Sequence, residues 1–528
     1  LPFNYFPRER CPLKHPLVLY NGSIITMDPE CPRAEAVAIK GGHFALVGST
    51  SQAKEAFPEA TRINLEGKTA LPGFVDSHCH FTWTGHHLVR PSVEHCSSVR
   101  ECLETLSCER ECLDTGEPLV AWGIDEVRLR EGRLPTLEEL DRAIPCTPLF
   151  CIYSTGHGTL VNSLGLGRVI SEASSRGVSL FAQDLKTGFI RGEANDVAQD
   201  LASRLLTPQQ RDRAIQEVTR KCVMNGVTTV HALEGRRQPW DPEVTSLLEM
   251  KENLPLDIVV YYQTTSVKAV TDLGLPRIGG CVFVDGDFTP HTAALREPYA
   301  DDPSTHGVLY FRQEELDAFV AEAHRAGLQV ALHCVGDAAI EQALSSYETA
   351  LRDTPGHDRR HRIEHFEIPD HALAQKACDL GVVLAMQPAF DHFWDYKAYE
   401  RQLGQERALR KNPFRQLLDQ GLIIGAGSDS FVTPIDPLLG IHSCLNHSVR
   451  ESRIGLHEAI AIYTIGSAYI GFEEGVKGSI RQGKQADVAI LSQDIHRADP
   501  TKIKDIKVAA TIRRGDFVWQ SPGFPGKR

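Results

Sequence analysis

Eight near-continuous apolar runs are spaced along the middle of this chain, and that pattern leaves few folds open. The runs are 71–77, 226–233, 257–263, 280–286, 328–335, 362–367, 382–387 and 423–428. Runs of this kind, rather than polar–apolar alternation, are expected of parallel strands buried on both faces. Stretches with helical character separate most of them. "TPQQRDRAIQEVTRKCVMNG" offers Thr207 as N-cap, Pro208 at the first helical position and Gly226 at its close. "RQEELDAFVAEAHRAG" and "GDAAIEQALSSYETAL" keep apolar residues three and four apart. Eight βα units predict an α/β fold, a (β/α)8 TIM barrel, whose reactive groups gather at the C-terminal ends of the strands. A doubly wound open sheet is the alternative. It would need a glycine-rich phosphate loop after a strand, and none is present.

The barrel is expected over 71–471. Its first βα connection, 81–206, is far too long for a loop and contains apolar segments of its own, such as "EPLVAWGIDEVRL". It reads as an inserted subdomain, a lid over the barrel mouth that would supply much of the specificity. Short β-rich segments open the chain ("PLVLYNGSIITM", "EAVAIKGGHFALVGS"), and segments of the same character close it ("KGSIRQGKQADVAILS", "VAATIRRGDFVWQ"). Residues 1–70 and 472–528 are therefore expected to form one composite β-sandwich.

A net charge of −13 disfavours nucleic acid and anionic membrane as partners, since both reward Lys and Arg. No apolar run reaches the roughly 18 residues needed to span a bilayer. The first residues have no apolar stretch behind a basic start, as a secretory signal would. The fourteen cysteines are spread out rather than set in a disulfide framework. The expectation is a reduced, cytoplasmic protein acting on a small molecule.

The chemistry is concentrated at the strand ends. "PGFVDSHCH" places His78 and His80 at the end of the first strand, and residues two apart on a strand face the same way. An HxH pair alone is more often a surface pair or a hydrogen-bonded core pair than a metal site. His333 in "VALHCVGD", His365 in "RIEHFE" and Asp429 in "IGAGSDS" close strands five, six and eight on the same barrel face. Four imidazoles and a carboxylate converging there suit a divalent ion such as Zn²⁺ better than coincidence does.

These stretches, with "WGIDEVRL", "GHGTLVNS", "DGDFTPHTAAL" and "KGSIRQGKQADVAIL", resemble the amidohydrolase superfamily over nearly the whole chain. The branch most similar is amidohydrolase family 3, the YtcJ-like group that includes N-substituted formamide deformylases. The resemblance implies a centre of one or two divalent ions. His78, His80 and Asp429 would hold the more buried ion, and His333 and His365 the more exposed one. Binuclear members join the ions through a carboxylated lysine on strand four, and that position falls here on Cys281. No other lysine ends a strand. Cys281 is either a bridging thiolate or a small packing residue beside a single-metal site. The resemblance also puts His157 of "STGHG" in the lid, against the substrate carbonyl or capping a turn. His291 stands where relatives tend to carry an arginine. His231 is expected behind the metal ligands and Trp83 of "WTGHH" along the pocket. A homodimer is the implied assembly.

The activity implied is hydrolysis of a C–N bond in an amide, formamide or cyclic amide by metal-activated hydroxide, with Asp429 as general base and then acid. The same centre could instead support decarboxylation, hydration or isomerisation. A non-catalytic binding protein on a degraded scaffold is the third reading, with the missing lysine in its favour and the five retained ligands against it.

Overall fold

The computed structural model describes residues 16–525 except 112, 114–116, 155, 157, 205, 236–240 and 357. The chain divides into two compact units: one formed by the chain up to Phe81 and from Thr219 onward, the other by Thr82–Val218.

The first unit holds a parallel eight-stranded barrel. Its strands are β1 (Phe74–Cys79), β2 (Val227–Glu234), β3 (Asp257–Tyr262), β4 (Arg277–Phe283), β5 (Gln329–Cys334), β6 (Arg362–His365), β7 (Val383–Met386) and β8 (Ile424–Ala426). They run in that order around the sheet. Two hydrogen bonds close the ring from β1 to the end of β8: Asp429 N donates to His78 O at 2.7 Å, and His80 N to Ser430 O at 2.9 Å. The (β/α)8 expectation holds, with shifted boundaries, among them the starts of the first and fourth strands. Leu71 and Pro72 pair with Ala489 and Val488 in the outer sheet, so β1 begins only at Phe74. The fourth strand begins at Arg277, three residues before the apolar run, because two glycines interrupt its pleat.

The outer sheet has eight strands drawn from both chain ends: Leu17–Ile25, Arg33–Lys40, His43–Gly48, Thr61–Asn64, Thr69–Pro72, Val488–Leu491, Val508–Arg513 and Asp516–Gln520. Its register shifts between Tyr20 and Ile24, and Phe44 N, on one of its N-terminal strands, donates to Lys484 O at 2.9 Å. The sandwich so formed encloses Leu19, Val37, Phe44, Val488, Ile490 and Ile512. It is keyed to the start of β3 by Asp257, which takes bonds from Lys477 Nζ at 2.6 Å and from Arg513.

The second unit is built on a four-stranded sheet. Phe189–Arg191, Gly158–Val161, Leu149–Tyr153 and Leu119–Ile124 lie side by side in that order. Leu119, Leu149, Cys151 and Leu160 share its core with Cys102 and Leu106 of the helix Val99–Glu111. Every described cysteine is a free thiol, and no described helix is long and apolar enough to cross a membrane.

Candidate metal centre

The closing of the barrel makes the first half of the site. Asp76 on β1 accepts from Ser428 N at 2.9 Å and His78 N at 3.2 Å, and burial pushes its carboxyl up to about 6. That clamp, with the two closing hydrogen bonds, sets Asp429 against the histidines of β1. Asp429 Oδ1 lies 3.1 Å from His78 Nε2 and 3.1 Å from His80 Nε2. Asp429 holds a left-handed backbone, φ 52°, as do His365 at 72° and Phe366 at 52°. Non-glycine residues rarely adopt this region, and it recurs where a site must aim a side chain.

A bulge in β4 makes the second half. Gly279 pairs with Ala331 of β5 and Phe283 with His333, so four residues on β4 answer to two on β5. Gly279 and Gly280 have φ of +94° and +101°, and a Cβ on Gly279 would stand 2.0 Å from Ala331 O. Only glycine meets both demands. The extra residues turn Cys281 inward, and Gln263 Nε2 grips its carbonyl at 2.8 Å. Its Sγ lies 3.5 Å from both His78 Nε2 and His80 Nε2.

Two overlapping trios result, His78–His80–Asp429 and His78–Cys281–His365, each with its ligand atoms within 4.8 Å of one another. His333 adjoins them, its ring centroid 4.4 Å from that of His365. Three of the imidazoles are gripped by one nitrogen. His78 Nδ1 donates to Glu364 Oε2 at 2.6 Å, His365 Nδ1 to Gln387 Oε1 at 2.7 Å, and His333 Nε2 to Gly286 O at 3.2 Å. This fixes the orientation of each ring. The opposite atoms, His365 Nε2 and His333 Nδ1, are buried without hydrogen-bond partners. Buried polar atoms left in this state need an explanation, and a bound cation supplies one. Imidazole nitrogens, a sulfur and a carboxylate make a donor set that fits a divalent metal ion.

The electrostatics agree. Burial alone would raise the Cys281 thiol, but His78 and His80 outweigh it and hold the thiol well below its ordinary range. Burial would likewise raise Asp429, and the same two histidines keep it ionised. In return Cys281 and Asp429 overcome burial and lift His78 well above its usual value, and His80 to about 10. His333 rises to about 9 against burial through Cys281, while burial and the neighbouring His333 lower His365. The same pairing favours cationic His78, His80 and His333 when metal-free, so a metal ion bound by these groups would displace their protons.

The other residues singled out in the sequence fall elsewhere. His231 does not end its strand, since β2 runs on to Glu234. It is wholly buried and accepts from Arg362 Nη1 at 3.0 Å. Its link to the centre runs through Arg362 and Glu364 to His78. His291 is held by Asp301 Oδ1 at 2.8 Å and packs on Tyr299. Trp83 lies half-buried on the helix Phe81–Val89 in the second unit, and His157 is outside the described residues. Arg362, Glu364, Gln387, Asp285 and Asp76 were missed. Asp285 accepts from Val335 N at 3.0 Å, Gly336 N at 2.8 Å and Ala294 N at 2.9 Å, shaping the loop that follows His333. The signal for Arg362 and Glu364 was present: two charges alternate inside "RIEH", where a doubly buried strand should be apolar.

A closed parallel barrel with histidines, a cysteine and a carboxylate gathered at its C-terminal face has the architecture of a barrel hydrolase. Residues 61–519 match the model of the amidohydrolase family, and the chain belongs to that family. It is 29% identical to "Putative amidohydrolase YtcJ" of Bacillus subtilis, over 95% of this chain and 99% of that protein. It is 24% identical to the N-substituted formamide deformylase of Arthrobacter pascens, over 96% and 99% of the two chains. The crystal structure of an uncharacterized metal-dependent hydrolase from Pyrococcus furiosus superposes with a TM-score of 0.76 at 26% identity, covering 92% of this chain and all of that one.

Proposed function

We propose that this chain hydrolyses the C–N bond of a small amide, formamide or cyclic amide at a zinc centre. The observation that carries the reading is the pair of overlapping donor trios around His78, with Asp429 in one and Cys281 in the other. His78, His80, Cys281, His333, His365 and Asp429 would hold the metal, and the sulfur favours zinc over harder divalent ions. Bound there, zinc supplies a Lewis acid for the carbonyl and lowers the pKa of water.

The protein's own groups do the rest. Asp429 is kept as a carboxylate by His78 and His80, so its oxygen can take the proton released as water adds to the carbonyl carbon. The same oxygen can return that proton to the nitrogen as the C–N bond breaks. Glu364 and Gln387 hold their histidines through Nδ1 and keep Nε2 turned inward. The similarity to an N-substituted formamide deformylase supports a C–N substrate.

The test is release of amine from a panel of amides, formamides and cyclic amides by protein stripped of metal and then reloaded with zinc. Turnover should depend on zinc. Asp429→Asn should keep the fold and lose about 10²–10⁴-fold in kcat. Full turnover in that variant, or none on any panel member by the zinc-loaded protein, would contradict the proposal.

A further inference from the structure

At the end of the barrel opposite the centre, the start of β6 is bound by a relay of two histidines. Val330 N, on the second residue of β5, donates to His361 Nδ1 at 3.1 Å. His361 Nε2 and His324 Nδ1 are 2.9 Å apart, and His324 Nε2 is 2.9 Å from Thr354 O. Both rings are buried, and His361 stacks on Tyr347 with centroids 4.9 Å apart at 14°. The carbonyl of His361 accepts from Val383 N of β7 at 2.9 Å. The relay therefore ties β5, β6 and β7 to the ends of two helices: Gln313–Arg325, which carries His324, and Asp337–Asp353, which Thr354 closes.

Only one placement of protons satisfies every bond. Val330 N can only donate, so His361 Nδ1 is bare and the ring proton sits on Nε2. That proton goes to His324 Nδ1, which leaves the His324 proton on Nε2 for the Thr354 carbonyl. A further proton on His361 has only Nδ1 to go to, where it meets the Val330 N–H head-on. The ring must then leave its place, because a buried donor without an acceptor is costly.

Nothing around His361 rewards a charge. The two helices face it with His324 and with the Tyr347 ring, its own loop with Arg359, and β5 and β7 with the backbone of Val330 and Val383. Among the described residues, none of these groups is a carboxylate. Burial, with His324 and Arg359, holds the ring down at about 3. The residue after His361 is Arg362, so a movement here reaches the guanidinium that holds Glu364.

We propose that the His361–His324 relay is an acid-released latch, which holds the β5–β6 joint and the two helix ends closed near neutral pH and lets them open locally when His361 takes up a proton. The ordinary value of a histidine is 6.5, so the closed latch is favoured in full above that pH and weakens as pH falls toward about 3. Below about pH 6 its opening constant should rise about tenfold per pH unit. Hydrogen exchange on the whole chain reads this at the Val330 amide. Its protection, corrected for the intrinsic exchange rate, should fall by about that factor per unit, while Leu332, two residues further along β5, changes far less. His361→Asn keeps an acceptor for Val330 N and has no proton to gain, so its Val330 protection should stay flat with pH. Ring ¹⁵N shifts of the wild type give a second reading that needs no variant: His361 should keep its single proton on Nε2 down to about pH 4. Val330 protection that does not change with pH, or that falls only together with Leu332, would overturn the latch. So would the same pH dependence in His361→Asn, or a His361 ring doubly protonated at about pH 6 in the folded protein.

Discussion

Glu364→Gln is the substitution whose cost follows most directly from the barrel interior. The carboxylate is wholly buried and accepts from Arg362 Nη2 at 2.8 Å and from His78 Nδ1 at 2.6 Å. Burial would raise its pKa, but Arg362 and His78 hold it below the usual carboxylate value, so it is charged at any working pH. Arg362 is wholly buried too, and its remaining partners, the Ser77 carbonyl, His231 Nδ1 and the Tyr261 ring 4.3 Å away, carry no counter-charge. Glutamine keeps the shape and one acceptor but leaves the guanidinium without a counter-charge. Removing one partner of a buried pair costs about 3–5 kcal/mol, and the retained shape points to about 3 kcal/mol here. That is a large share of the roughly 5–15 kcal/mol that holds a protein folded. Loosening His78 should also weaken metal binding about 10–100-fold. Urea unfolding of the metal-free protein reads the first effect, and zinc titration against a competing chelator reads the second. Arg362→Met combined with Glu364→Gln removes the orphaned charge and should recover part of the loss. A single variant within about 0.5 kcal/mol of wild type, with unchanged zinc affinity, would refute this account of the network.

Three other outcomes follow from the same geometry. Gly279→Ala would set a methyl 2.0 Å from Ala331 O at φ +94°, and should destabilise the chain by about 2 kcal/mol or more and lower zinc affinity, as thermal unfolding and metal titration would read. Gln387→Leu removes the acceptor of His365 Nδ1 and should weaken zinc binding about 10–100-fold, while the N–H left buried without a partner should cost about 1–3 kcal/mol in unfolding. Burial opposes Asp257, but Lys477 and Arg513 hold its carboxyl well below the usual range. Because that value is depressed in the folded state, the stabilisation is full above the unfolded value near 3.9 and fades as pH falls toward the folded one. The stability gap between wild type and Asp257→Asn should therefore stay constant from pH 7 to 5 and shrink below about pH 4. A gap that widens on acidification would reverse the sign.

The barrel was legible because burial on both faces leaves a plain mark, a run of apolar residues, and eight such runs admit few topologies. His78, His80, His333, His365 and Asp429 could be read as a set because each stands at or just beyond a strand end. The register of β4 could not be read: it depends on two left-handed glycines whose effect shows only when Ala331 is placed beside them. The place of His231 behind the centre was expected, but its route there, through Arg362 and Glu364 to His78, shows only once the strands are side by side. The wholly buried Lys411 gave no signal at all. Its partners, Asp391, Trp394 and Tyr399, come together only through the folding of the segment after β7.

The most direct test of the central claim is the metal content of the purified protein, by inductively coupled plasma mass spectrometry, in wild type and Cys281→Ser. The account predicts about two zinc ions per chain, one held by His78, His80 and Asp429 and the other by His333 and His365 with the sulfur of Cys281 shared between them, and a clear drop when that sulfur is removed. A single ion unaffected by Cys281→Ser would make that residue a packing side chain and the centre mononuclear. A wild-type protein that retains no metal after reconstitution would contradict the claim that this cluster is a metal centre.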